Sequence, residues 1–117
     1  MRILRSLPIV FILCLGALSC SSSKAPPEPC TPSGPTQTVD LKDFAFEPTC
    51  IGAASGAHLT LQNTGAAPHT FTINGTPLDQ KVDAGAGAEA SLEGIAPGTY
   101  NVICDYHPQM TATLVVS

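Results

Sequence analysis

Basic residues are scarce in this 117-residue chain, which holds five Lys and Arg against nine Asp and Glu. Arg2 and Arg5 lie in the first five residues, so from Cys20 onward three lysines face nine carboxylates, a net charge of −6. A chain of that sign repels a phosphate backbone, which argues against nucleic acid as a partner. Tryptophan is absent, and so are a Gly-rich phosphate loop, a Ser-centred nucleophile motif and an internal repeat. Neither a base–nucleophile pair nor a sustained 3.6-residue apolar period occurs, so nothing points to an enzyme or to a helical architecture. The apolar stretch from Leu7 to Leu18 spans about a dozen residues, short of the roughly 20 that cross a bilayer.

What the chain does hold is five cysteines, an odd number that an exported protein does not carry without reason. Residues 1–19 run from a basic start through that apolar stretch to small residues, the grammar of a removable signal peptide rather than a membrane anchor. Their end, Leu15-Gly16-Ala17-Leu18-Ser19-Cys20, resembles a bacterial lipoprotein signal. The resemblance implies that Cys20 becomes the lipid-bearing first residue of the mature protein, with ordinary secretion as the competing reading. Either route leads to an oxidising compartment in which disulfides persist. Cys14 leaves with the leader.

Residues 20–37 are rich in Ser, Pro and Thr, with five prolines between Pro26 and Pro35, and read as an extended linker. From Thr38 to Ser117 the pattern changes to short alternating runs, one domain of about 80 residues. Val39 and Leu41 share one parity and Phe44 and Phe46 the other, which predicts a bulge near Lys42-Asp43. Leu59 and Leu61 share a face that excludes His58. Ala88, Ala90 and Leu92 alternate with Glu89, Ser91 and Glu93, and Val82 to Ala90 leaves room for one short helical turn at most. About seven strands with Gly, Pro and Asn turns between them predict an all-β antiparallel sandwich.

The chemistry concentrates in Cys104-Asp105-Tyr106-His107-Pro108-Gln109-Met110, on the loop between the last two expected strands. Thiolate and thioether are soft donors and imidazole is borderline, a mixture that selects copper over calcium or magnesium. Zinc also takes Cys and His, but Met is not among its usual ligands. Two His, one Cys and a long axial Met make a blue-copper electron-transfer centre, so one more His is required. His69 is the better candidate, because its parity matches Phe71 and Ile73 at the start of a strand; His58 is expected to face solvent.

Three stretches carry a family resemblance: Phe46-Glu47-Pro48, Asn63-x4-Pro68-His69, and Pro97-Gly98-Thr99-Tyr100-x3-Cys104-x2-His107-Pro108-x-Met110. From about Thr38 onward the chain resembles a cupredoxin of the plastocyanin/amicyanin type, with the short amicyanin-like ligand loop. The resemblance implies a small Greek-key β-sandwich that binds one copper ion, cycling between Cu+ and Cu2+. By the same resemblance His69, Cys104 and His107 are the equatorial ligands and Met110 the weak axial one. The edge of His107, ringed by Pro68, Pro108 and Tyr106, would be the electron port. Two departures stand out: the domain is short, so a peripheral strand is expected to be reduced, and Thr70 stands where the family often carries Asn.

Cys30 and Cys50 remain, twenty residues apart, and are expected to form a disulfide pinning the linker to the sandwich; a second copper site there would lack any nearby His or Met. Together these readings describe a monomeric, non-enzymatic electron carrier of the bacterial cell envelope. It would be held to a membrane by lipid at Cys20, face the periplasm or the exterior, and exchange electrons with a donor and an acceptor protein. The alternative is an envelope protein that stores or transfers copper without shuttling electrons. A chain with three His and two Met, one of them the initiator, lacks the exposed tracts that copper chaperones often use. A sandwich serving only as an adhesion or binding module would have no use for the four-ligand set.

Overall fold

The computed structural model describes residues 30–117; the leader, Cys14 and Cys20 lie outside them. Nine strands run in order: β1 (Thr38–Lys42), β2 (Ala45–Glu47), β3 (Cys50–Ala53), β4 (His58–Asn63), β5 (His69–Thr72), β6 (Asp79–Val82), β7 (Gly87–Ser91), β8 (Gly98–Cys104) and β9 (His107–Val116). There is no helix among the described residues. The Val82–Ala90 stretch that left room for a helical turn instead turns at Gly85 and enters β7.

The strands form two packed sheets, β2-β1-β4-β7 and β3-β9-β8-β5-β6. Alternation does most of the work. In β4, Leu59, Leu61 and Asn63 are buried while His58, Thr60 and Gln62 are exposed, so one face of a six-residue strand meets the core. Val39, Leu41 and Leu61 from one sheet meet Phe71, Val102 and Leu114 from the other in a single core. Phe46 on β2 and Phe71 on β5 cross it edge to face, with ring centroids 5.7 Å apart. Two pairings, β1 with β4 and β3 with β9, are parallel. They arise because the chain crosses between the sheets instead of only folding back on itself.

The parity change between Leu41 and Phe46 is not a bulge. β1 and β2 form a hairpin with Asp43 and Phe44 as its two turn residues, and Leu41 faces Phe46 across the ladder. The chain reverses there, so both apolar side chains reach the same core. Phe44 adopts φ = 66°, a left-handed conformation that costs an L-residue about 1–2 kcal/mol.

Residues 30–37 lie against the second sheet. Cys30 is bonded to Cys50, with Cα atoms 5.4 Å apart. The Thr36 amide donates to the Gly52 carbonyl at 2.7 Å, and the Gly52 amide returns a bond to Thr36 Oγ1 at 3.2 Å. Gly52 has to lack a side chain, since a Cβ there would sit 2.5 Å from Cβ of Pro32. The bridge closes a loop of twenty residues, which the chain-entropy model values at about 3 kcal/mol. Replacing both cysteines with serine should lower the thermal midpoint by roughly 10–20 °C, measured by circular dichroism against the parent protein.

Candidate metal centre

The site begins with an irregularity in the β8–β9 hairpin. Cys104 faces His107 across the ladder, but its neighbour Ile103 faces Thr111. Pro108, Gln109 and Met110 therefore intervene on β9 between the partners of two consecutive β8 residues. The extra length arches the start of β9 over the end of the sandwich and turns Met110 into the interior, where it is fully buried. Cys104 ends β8 buried, and His107 opens β9 half-buried.

β5 supplies the remaining imidazole. His69 is its first residue and is wholly buried. Its Nδ1 lies 3.8 Å from Cys104 Sγ, and His107 Nδ1 lies 3.7 Å from the same sulfur. One donor atom from each of the three residues falls within 4.8 Å of the other two. The structure thus brings together His69, Cys104 and His107, and buries Met110 three residues beyond His107. His58 is exposed on β4 and belongs to no such cluster. Cys30 and Cys50 are joined to each other, leaving Cys104 as the free thiol among the described residues.

Several polar groups hold the donors in place. The Thr70 amide donates to Cys104 Sγ at 3.4 Å, and Thr70 Oγ1 accepts the Asp105 amide at 2.9 Å. Thr70 therefore braces both the sulfur and the residue after it. Asn63, buried at the end of β4, donates to the carbonyls of Ala67 and Val82 at 2.9 and 3.0 Å and accepts the Gly65 amide at 2.9 Å. That knot fixes the loop that delivers His69.

Two neighbours of the imidazoles could not be anticipated from the sequence, and both come from the β1–β2 turn. An Asp43 oxygen lies 3.3 Å from His69 Nε2, and the Phe44 ring meets His107 edge-on with centroids 5.0 Å apart. The Ala66 amide, and after it the His69 ring, hold the Asp43 carboxyl below its ordinary pKa, against a smaller opposing effect of lost hydration than that of the amide alone. The parity shift at Lys42-Asp43 was the one sequence signal at this turn, and it carried no information about residues 69 and 107.

Two nitrogens, a thiolate and a thioether suit a single copper ion, and their donor types disfavour hard cations. Three of the four stand at strand ends: His69 opens β5, Cys104 closes β8 and His107 opens β9. Thr70→Val keeps the shape but leaves the Asp105 amide without its acceptor. Denaturation of the metal-free variant should show a loss of about 1–3 kcal/mol; unchanged stability would mean that the Asp105 bond contributes nothing.

Comparison with known proteins agrees with this geometry. Residues 9–116 match the cupredoxin-like domain. The amicyanin-alpha of Methylorubrum extorquens is 32% identical over 89 residues, which cover 73% of this chain and 74% of that protein. Among solved structures, a reduced amicyanin variant superposes with a TM-score of 0.59 at 22% identity, covering 70% of this chain and 82% of that one. A purple cupredoxin from Nitrosopumilus maritimus gives 0.57 at 20% identity, with coverage of 69% and 99%. A copper-containing nitrite reductase from Thermus scotoductus gives 0.58 at 20% identity, and there the match covers 70% of this chain but 22% of the enzyme. With a family match running over nearly the whole chain and a relative close to a third identical, this chain belongs to the cupredoxin-like family.

Proposed function

We propose that this chain is a type 1 (blue) copper protein that carries single electrons at the bacterial cell envelope, with His69, Cys104, His107 and Met110 as its ligands. The observation that carries the reading is the convergence of three donor atoms within 4.8 Å, two of them on wholly or nearly buried residues. Similar amicyanin structures are known in reduced and oxidised states, one of them as the Cu(I) form.

When bound, copper supplies the one-electron couple; the protein supplies everything that makes the transfer easy. β5, β8 and β9 carry the donors on paired strands, which would limit their movement when the charge of the ion changes. Cys104 would hold the ion as its thiolate, and the Thr70 amide is placed to stabilise that sulfur charge. His107, half-buried beneath the 58%-exposed Phe44 and close in sequence to the 50%-exposed Tyr106, offers the route to solvent. Its apolar surroundings suit a brief encounter with a redox protein that donates or accepts the electron. Lipid attachment at Cys20 would keep the monomer at a membrane surface, a reading that rests on the lipoprotein-like leader.

Loading the purified protein with Cu(II) should give an intense blue thiolate-to-copper band that bleaches reversibly on reduction, and Cys104→Ser should abolish it. A colourless protein that holds only Cu(I) would instead support storage or transfer of the metal. Expressed with its leader in a bacterial host, the protein should fractionate with membranes and carry the added mass of lipid. Cys20→Ser should release it, and a variant that stays in the membrane fraction overturns the anchor.

A further inference from the structure

The β1–β2 turn touches both imidazoles of the site while belonging to neither ligand loop. Its Asp43 carboxylate, still partly open to solvent, turns toward the loop that carries His69. The Ala66 amide donates to both of its oxygens at 3.1 Å, and His69 Nε2 lies 3.3 Å from Oδ1. Gly65 makes room for this, because a Cβ at that position would collide with Oδ1. The Thr64 amide, donating to the Leu41 carbonyl at 3.0 Å, ties the two loops together beside it.

A carboxylate can only accept, so the contact requires the proton of His69 to sit on Nε2. Nδ1 is then left with its lone pair, and Nδ1 is the atom 3.8 Å from Cys104 Sγ. An anion behind an imidazole also makes that ring a stronger donor and favours the more highly charged state of the ion it binds. We propose that Asp43 is a positioning residue for the centre: its carboxylate selects the Nε2–H tautomer of His69 and lowers the reduction potential of the copper held there. The part concerning the potential rests on the copper reading above; the part concerning the tautomer does not.

The two parts are tested separately. In the metal-free protein, at a pH where the ring is neutral, nitrogen NMR should show His69 as a single Nε2–H tautomer. Asp43→Ala should give a mixture of tautomers. A parent protein with its proton on Nδ1, or an unchanged ring in the variant, overturns the assignment. With copper bound, Asp43→Asn keeps an acceptor oxygen but removes the charge. The ratio of Cu(II) to Cu(I) affinity should fall about tenfold, a rise in potential of about 59 mV for one electron. Glu89→Gln removes one charge from the exposed face of β7 and serves as the reference. A shift for Asp43→Asn no larger than that reference, or a shift downward, overturns the tuning role. If the parent protein forms no coloured copper complex, the copper reading fails on its own, and the tautomer measurement still decides what Asp43 does.

Discussion

The Thr70 amide, 3.4 Å from the Cys104 sulfur, occupies the point where the pairing of β5 with β8 stops. β5 and β8 share only one registered pair, Thr72 with Ile103. Beyond it the two strands would normally continue to exchange backbone hydrogen bonds, but β8 ends at Cys104 and turns. The amide that has lost a carbonyl partner finds a sulfur, and the hydroxyl of the same residue takes up the Asp105 amide. Buried backbone donors are costly to leave unpaired, and here the thiol supplies the partner. Fold and site share one set of bonds, and a change at Thr70 acts on both.

A second dependence runs through the first sheet. The turn at Asp43-Phe44 is strained at Phe44, yet it places a carboxylate against one imidazole and an aromatic ring against the other. The ring packing and the Ala66 bonds offset the cost of the left-handed residue. Asn63 works alongside, its three hydrogen bonds holding the loop that carries His69. This end of the sandwich is thus built by residues from β1–β2, β4, β5, β8 and β9 together.

Which of this was legible in the sequence follows from how local each feature is. Cys104, His107 and Met110 lie within seven residues, and soft donors at that spacing speak for themselves. His69 was found by parity, because Phe71 shares its side of the strand. Leu59, Leu61 and Ala90 announced their strands in the same way, and all three are buried, as is Leu92 just past the end of β7. The turn at Asp43-Phe44 was misread because a parity change looks the same whether a residue is inserted or the chain reverses. Asp-Phe is also not a pair with the usual hairpin-turn chemistry. The parallel pairings and the Asp43–His69 contact, 26 residues apart in the chain, exist only once the sheets are packed. No pattern of period two encodes them.

The Cys30–Cys50 bridge has a mechanical side as well. With the Thr36–Gly52 bonds it holds residues 30–37 along β3. A pull on the chain at Cys30 therefore passes through a covalent bond into Cys50 and the β3–β9 pairing. Strand β1, which leads into the Asp43-Phe44 turn beside the site, is bypassed by that force.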